Sequence, residues 1–329
     1  MSGPRSGLKT ADWKVRTPGT DVAAQFVSFV AEPCFDRPVA KPTYIELADE
    51  TRIPILYEDR TVMALDKPAG WILGPDDWEH TARNLPLAIQ SSISAGDYWA
   101  RSRNMRYLRH VHRLDAGTSG ILLCVKHLGA MAPISRLFAD RVVKKTYLAV
   151  TDGLPKQPEW TRTDMLGPEE REPGRHRVDP TAGKEAQTDF KVLQTGRYTA
   201  LVEAKPHTGR THQIRLHLAA SGTPVQGDDM YGTPHPGGLA LRAVGLEYTD
   251  PFTQRVVRIS APAADFCRHF GFTPPERPRR PAASGPGAGT PPQAGTARPG
   301  PAPVPAPVAG EAASRTTRPG RSSGSPSKA

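Results

Sequence analysis

Residues 120–150 read GILLCVKHLGAMAPISRLFADRVVKKTYLAV, and this stretch decides the fold class. It opens with a continuous apolar run, which indicates a buried strand. Apolar residues then recur at helical spacing over Leu128–Ala139, and a second strand pattern follows over Val142–Val150. A strand, a helix and a second strand are therefore predicted in succession.

The flanking segments add strand pairs rather than regular βαβ units. Residues Ile55–Lys67 hold two short apolar runs around a charged turn, as in a hairpin. Residues Thr188–Leu193 and Tyr198–Ala204 predict an antiparallel pair about Gly196, and Thr211–Ala220 has a helical pattern. We therefore predict an α+β fold with a mixed, largely antiparallel central sheet and flanking helices.

Composition divides the chain into three parts. Residues 1–50 are rich in turn-forming residues and predict a partly ordered leader, whereas residues 51–273 carry the strand and helix patterns of a single domain. Residues 274–329 are basic and consist largely of Pro, Ala and Gly, which predicts a disordered tail. Residues 155–178 are expected to form an inserted loop that either contacts a partner or is mobile and solvated.

Charge and hydropathy narrow the class of protein. The formal net charge of +10 points towards a polyanionic partner. No apolar run is long enough to cross a membrane, so a cytoplasmic protein without a membrane partner is expected. The three cysteines are far apart and predict neither a disulfide framework nor a cysteine-based zinc site.

The segment from His110 to Gly120 presents a carboxylate. Asp115 follows a strand-like run and enters a loop of glycine, threonine and serine, whose backbone N–H groups would help to keep the carboxylate ionised. Taken alone, such an aspartate is most often a turn or capping residue. The pattern of the whole chain is needed to decide between the two interpretations.

The residues His112-Arg113-Leu114-Asp115, followed two residues later by Thr118-Ser119-Gly120, resemble the loop of the RluA-like family of RNA pseudouridine synthases. Further segments match in the family's order: Tyr57–Asp59, Asp66–Gly70, Lys145–Ala149, Gly183–Lys184, Thr188–Leu193, Thr208–Leu218 and Gly227–Gly232. The resemblance extends over about residues 53–272 and so identifies 51–273 as a catalytic domain.

The resemblance implies that uridine in RNA is isomerised to pseudouridine without a metal, an organic cofactor or a nucleotide cofactor. Asp115 corresponds to the catalytic aspartate, Arg215 to its basic partner and Tyr147 to the active-site tyrosine. Leu241 corresponds to the apolar residue of the pocket floor. Arg242 stands where the family usually has histidine, so no role of that imidazole carries over.

RNA is the expected partner of a monomeric enzyme. A uracil inside folded RNA has to be flipped out to react, and His112 and Arg113 are expected to fill the vacated space or to hold a phosphate. Arg210 and His212 are also expected to bind RNA. Ribosomal RNA is the expected substrate on the habit of the family, and transfer RNA is the alternative.

Three other classes of function fit the sequence less well. A metal site built from His110, His112, His207 and His212 is not expected, because neither an HExxH motif nor a carboxylate cluster accompanies them. A nucleoside hydrolase would also use an aspartate, but it would release free uracil. A catalytically silent RNA-binding protein would not need Asp115 and its predicted partners.

Overall fold

The computed structural model describes residues 40–74 and 83–275. These residues belong to the unit Met1–Glu276, one of two into which the chain divides. Most of the predicted leader and the predicted tail from residue 276 onward therefore lie outside the described residues. No helix in the described ranges is long and apolar enough to cross a membrane.

Twelve strands and five helices are described. The strands are β1 (Tyr44–Glu46), β2 (Arg52–Glu58), β3 (Val62–Lys67), β4 (Arg109–His110), β5 (Ser119–Val125), β6 (Lys144–Asp152), β7 (Glu159–Pro168), β8 (His176–Val178), β9 (Lys184–Thr195), β10 (Thr199–Pro206), β11 (Leu241–Thr249) and β12 (Val256–Ser260). The helices are α1 (Leu85–Ala95), α2 (Tyr98–Arg101), α3 (Leu128–Ala139), α4 (Gln213–Ala220) and α5 (Ala264–His269).

All twelve strands belong to one sheet of order β1-β2-β3-β5-β11-β6-β10-β9-β7-β8, with β12 paired to β11 and β4 to β5. Among the described strand pairs, β5 with β11 is parallel and the others are antiparallel. The mixed, largely antiparallel α+β fold is thus confirmed.

Local chemistry explains the predicted elements. The turn between β2 and β3 is fixed by Asp59, whose Oδ1 accepts the backbone N–H groups of Thr61 and Val62, both at 2.7 Å. Strand β5 is buried from Gly120 to Val125 because it lies inside the sheet between β3 and β11. Helix α3 begins and ends at the residues that the apolar spacing predicts.

The sheet carries two apolar cores. In the first core, residues of α1, α2 and α3 pack with β3 and β5, and Leu114 belongs to this core. In the second core, residues of α4 and α5 pack with β6 and β10, and Ile214 belongs to it. Asp115 and Arg215 each follow one of these two buried residues, so each is anchored by a different core.

The interpretation of residues 155–178 as a mobile, solvated loop is wrong for most of its length. Residues Glu159–Pro168 form β7, which pairs with β9, and His176–Val178 form β8. Trp160 stacks on Phe190 of β9 with ring centroids 4.9 Å apart. This stacking and the hydrogen-bonded pairing with β9 anchor the segment to the sheet.

Candidate functional site

The loop that carries Asp115 is hydrogen-bonded by Lys67, the last residue of β3. This lysine is fully buried, and its Nζ donates to the carbonyls of Pro68, Asp115, Ala116 and Thr118 at 3.1, 3.3, 3.0 and 2.9 Å. Burial lowers the pKa of Lys67 to about 8, and the negative charge of Asp115 opposes that shift. The loop is thereby fixed to the end of β3.

Two strands approach each other closely where the loop of Asp115 enters β5. Gly120 of β5 pairs with Ala243 of β11, and a Cβ on Gly120 would lie 2.1 Å from the Ala243 carbonyl oxygen. Its φ of +109° is also one that a side chain disfavours. The glycine lets β11 approach the loop, and buried Leu241 lines the pocket there.

Arg215 faces Asp115 from α4. Its Nη1 lies 3.5 Å from Asp115 Oδ2, while its Nε and Nη2 each donate to Asp228 at 2.7 Å. Burial disfavours the charged guanidinium, but the hydrogen bonds and charge of Asp228, with the charge of Asp115, outweigh it and raise the pKa of Arg215. The arginine is therefore a fixed cation beside Asp115.

His212 lies on the other side of the same carboxylate. Its Nε2 is 3.9 Å from Asp115 Oδ1, and its Nδ1 is 2.9 Å from the hydroxyl of Tyr231. It precedes α4 with a φ of +56°, in the left-handed region that few non-glycine residues adopt. Such strain is retained where the surrounding structure enforces it, often at functional sites.

These groups line a pocket of about 500 Å³. Tyr147 of β6 lines it, and burial raises the pKa of this phenol well above its ordinary value. Lys145, two residues earlier, donates to the Thr208 carbonyl at 2.8 Å, and burial lowers the pKa of Lys145 to about 8. A carboxylate, two cations and an aromatic ring thus face one cavity of ligand size.

The structure brings all the predicted site residues together around this pocket. Asp115, Arg215, Tyr147, Leu241, His112, Arg113, Arg210 and His212 line it. They come from five separate parts of the chain: the loop before β5, β6, the segment before α4, α4 itself and β11.

Comparison with known proteins identifies the family. A family model described as RNA pseudouridylate synthase matches residues 61–220. An uncharacterised RNA pseudouridine synthase of Bacillus subtilis is 34% identical over 218 residues, which cover 64% of this chain and 68% of the relative. This chain belongs to the RluA-like family of RNA pseudouridine synthases. It is thus an isomerase that acts on RNA.

Two further relatives agree. Ribosomal large subunit pseudouridine synthase C of Vibrio vulnificus is 32% identical, with 70% of this chain and 72% of the relative covered. The solved structure of human RNA Pseudouridylate Synthase Domain Containing 1 matches with a TM-score of 0.52 at 28% identity, covering 64% of this chain and 83% of that chain.

His112 of this pseudouridine synthase is turned inward. Its ring stacks on Phe138 with centroids 4.8 Å apart, and its Nε2 accepts the backbone N–H of Leu123 at 2.9 Å. Burial lowers the pKa of His112 to about 3, with the charge of Lys145 adding to the shift. The imidazole is therefore neutral and fixes the loop, while the neighbouring Arg113 is exposed.

Sequence reasoning missed several residues of the synthase pocket. Arg141 and Lys145 line it, and both come from one basic run that spans the end of α3 and the start of β6. Asp228 binds Arg215, and Tyr231 contacts His212. The sequence predicted no role for Asp228 or Tyr231. The motif Gly227–Gly232 was the available signal for both.

Arg242 makes three hydrogen bonds in this member of the family. Its Nη2 donates to Asp66 at 2.7 Å, its Nη1 lies 3.2 Å from Ser119 Oγ, and its Nε donates to the Pro262 carbonyl at 2.9 Å. The guanidinium thus joins β3 to β11 across Ser119, the first residue of β5.

Proposed function

We propose that the protein isomerises specific uridines of ribosomal RNA to pseudouridine, with Asp115 as the catalytic carboxylate. One observation carries the proposal: Asp115 and Arg215 lie 3.5 Å apart in a pocket of about 500 Å³ that Tyr147 also lines. Catalysis is assigned to residues 51–273, as the sequence predicts.

The chemistry requires a carboxylate and a bound base. The bond between N1 of uracil and C1′ of ribose breaks, and a new bond joins C5 to C1′. Asp115 serves as the nucleophile of this exchange, at either the sugar or the base. Arg215 places a positive charge 3.5 Å from the carboxylate, and Tyr147 stacks on the base.

The target nucleotide is proposed to flip out of the RNA and into the pocket. A pocket of about 500 Å³ lined by Asp115 has room for a single nucleotide, whereas a base within a duplex stays out of reach. Arg113 and Arg210 stand at the pocket and are assigned to the RNA backbone, and Lys145 and Arg141 extend the same basic surface. His112 supports the loop next to them.

Ribosomal RNA is favoured as the substrate because curated relatives at about one third identity are named ribosomal large subunit synthases C and D. Transfer RNA remains the alternative substrate. The enzyme is proposed to be a cytoplasmic monomer without a cofactor, as the sequence predicts.

The test uses ribosomal and transfer RNA transcribed without pseudouridine. Purified protein, the Asp115→Asn variant and the Asp265→Asn variant are incubated with each RNA, and pseudouridine is mapped by carbodiimide-dependent stops of reverse transcription. Asp265 is a matched control, because it is an exposed carboxylate on α5. New stops with wild type and Asp265→Asn, but not with Asp115→Asn, are expected.

Reverse-transcription stops that occur only in transfer RNA would show that transfer RNA, and not ribosomal RNA, is the substrate. Tight RNA binding without stops on either RNA would refute the enzymatic proposal in favour of a silent RNA-binding protein.

A further inference from the structure

The hydroxyl of Tyr231 contacts one ring nitrogen of His212. Its oxygen accepts the backbone N–H of His176 at 2.9 Å and lies 2.9 Å from His212 Nδ1. Among the described residues, His212 Nδ1 is the acceptor within hydrogen-bonding distance of the phenolic proton. Because the His176 N–H already uses one lone pair of the phenolic oxygen, this arrangement favours Tyr231 as the donor to Nδ1, and a neutral imidazole that accepts there carries its proton on Nε2.

Nε2 is the ring nitrogen of His212 that lies beside Asp115, whereas Nδ1 contacts Tyr231. Nε2 lies 3.9 Å from Asp115 Oδ1, which is too long for a hydrogen bond. The Asp115 carboxylate therefore does not accept a hydrogen bond from His212 Nε2. A substrate oxygen seated beside Asp115 can accept it.

His212 is neutral in this environment. Burial lowers its pKa, the positive charge of Arg215 and the nearby His176 add to the shift, and Asp115 with Asp228 oppose it. The rings of His176 and Tyr231 both meet the imidazole edge-on, at 5.7 and 5.6 Å between centroids. An uncharged donor suits the site, because an imidazolium would pair with Asp115 and weaken it as a nucleophile.

The isomerisation creates a need for such a donor. When the N1–C1′ bond breaks, its electron pair goes to the uracil, whose two carbonyl oxygens share the negative charge. The base must then stay bound and turn until C5 bonds to C1′ and Asp115 is released. C5 then loses its proton and N1 gains one, so that the product is an isomer of the substrate. A fixed N–H group at a carbonyl oxygen stabilises the charge and retains the base.

We infer that His212 is a further catalytic residue, which donates its Nε2–H to a carbonyl oxygen of the detached uracil, and that Tyr231 is the positioning residue that sets its tautomer. The inference rests on the proposed function. It gives His212 a role at the base in place of the RNA contact that the sequence suggested.

The tautomer is tested first, without RNA. The full chain is labelled with nitrogen-15 at histidine, and long-range proton–nitrogen spectra are recorded at pH 7. The His212→Asn variant assigns the signal and is suited to the positive φ, which asparagine tolerates. A neutral Nε2–H tautomer is expected in the wild type, and a mixture of tautomers in Tyr231→Phe. A neutral Nδ1–H form or an imidazolium in the wild type would overturn the inference.

The catalytic role is tested with RNA whose uracil rings carry carbon-14. Pseudouridine and free uracil are counted separately. Tyr231→Phe is expected to lower kcat by about 10-fold and His212→Asn by about 100-fold, with KM changed less than about twofold. Both variants should raise the ratio of free uracil to pseudouridine, which a merely structural role would leave unchanged.

His207→Asn is the matched control for this measurement. His207 is an exposed histidine five residues earlier, it is bonded to Asp189 at 2.6 Å, and it does not line the pocket. It should behave as the wild type. An effect of His212→Asn on KM alone, with an unchanged uracil ratio, would refute the inference and restore a role in RNA contact. Wild-type protein that forms no pseudouridine would refute both the proposed function and this catalytic role, while the tautomer result would stand.

Discussion

Arg215 and Asp228 form a buried bidentate ion pair, in which Nε and Nη2 of the guanidinium each lie 2.7 Å from a carboxylate oxygen. The backbone N–H groups of Met230 and Tyr231 donate to the same carboxylate, both at 3.0 Å. The guanidinium reaches Asp115 only at 3.5 Å. Asp228 therefore sets the position from which Arg215 acts on Asp115.

The first prediction concerns this pair. Asp228→Asn leaves Arg215 buried without its partner, so we expect the free energy of unfolding to fall by about 3 kcal/mol and kcat to fall at least about 10-fold. Asp229→Asn is the control, because Asp229 is 75% exposed and lies 3.5 Å from the same guanidinium. Urea unfolding should show a loss of less than about 1 kcal/mol for that variant.

The stability difference between wild type and Asp228→Asn should depend on pH. Burial raises the pKa of Asp228, but the bonds and charge of Arg215 outweigh burial and lower it overall. A carboxylate with a lowered pKa stabilises the fold above its unfolded pKa of about 4, and this contribution is lost as pH falls through the folded pKa. The difference in the free energy of unfolding between wild type and Asp228→Asn should be largest at pH 7 and should decrease below about pH 4. A difference that is constant from pH 7 to pH 3 would show that the charge of Asp228 does not contribute.

The second prediction concerns Lys67. In the folded chain its pKa is about 8, whereas an unfolded lysine titrates near about 10.4. Between these values the unfolded state binds more protons, so the free energy of unfolding of the wild type should rise with pH relative to Lys67→Met. The variant also loses the donor that holds the Asp115 loop, and we expect kcat to fall by about 10-fold.

Urea unfolding at several values between pH 7 and pH 10 measures this effect. Lys145, whose pKa is also about 8, is present in both proteins and cancels in the difference. Lys144→Met is the control, because Lys144 is an exposed lysine that pairs with Glu247 on the surface. Equal pH dependence of wild type and Lys67→Met would contradict the prediction.

Local patterns account for the parts of the fold that the sequence predicted. The β2–β3 hairpin and α3 depend on short-range apolar spacing and on Asp59 in the turn. Strand β7 escaped prediction because Arg162 and Asp164 occupy positions where a strand that packs on a helix usually carries apolar residues. Arg162 Nε instead binds Asp164 at 2.6 Å, and its Nη1 binds the Ala220 carbonyl of α4 at 3.0 Å.

Helix α1 was not predicted, although the sequence holds its end signals. The Asn84 side chain accepts the Leu87 N–H at 3.2 Å, and Gly96 ends the helix with a φ of +73°. The pattern between them is weak, because Pro86 and serines interrupt it and three residues of the helix are buried. Asparagine at the start and glycine at the end would have been the signals to use.

The family motifs locate the residues of the candidate site but not all of the residues that hold them in place. The resemblance located Asp115, Tyr147 and Arg215, and the structure places all three around one pocket. Lys67 binds the carbonyl of Asp115 across 48 positions of the chain. Spacing within a sequence carries no sign of such a contact, which only the pairing of β3 with β5 creates.

The third prediction concerns RNA binding by Lys145. Its pKa of about 8 means that the ammonium at the pocket loses its charge in mildly alkaline buffer. The affinity for RNA should weaken from pH 7 to pH 9 in the wild type and should weaken less in Lys145→Met. The slope of log affinity against log salt at pH 7 should fall by about 1 in the variant.

Filter binding or fluorescence anisotropy gives both quantities. Lys205→Met is the control, because Lys205 pairs with Glu203 and does not line the pocket. An unchanged salt slope in Lys145→Met would show that this lysine does not neutralise a phosphate.

The fourth prediction concerns Gly120. A Cβ there would lie 2.1 Å from the carbonyl oxygen of Ala243, and the φ of +109° disfavours any side chain. Gly120→Ala must therefore push β5 away from β11 or distort the Asp115 loop, and we expect a loss of about 3 kcal/mol or more in the free energy of unfolding. Gly174→Ala is the control: its φ is +83°, but nothing lies within 4 Å of a Cβ there, so strain alone should cost about 1 kcal/mol.

Single-turnover rates should also distinguish the Gly120→Ala variant from the Gly174→Ala variant. Single-turnover rates are measured at a temperature where both variants are folded, as judged by circular dichroism. Gly120→Ala should be slowed by at least about 10-fold, because the loop shifts Asp115 relative to Leu241 and Arg215. Gly174→Ala should keep the wild-type rate, since Gly174 lies between β7 and β8 and does not line the pocket. Equal rates for the two folded variants would mean that the spacing of β5 and β11 does not set the position of the carboxylate.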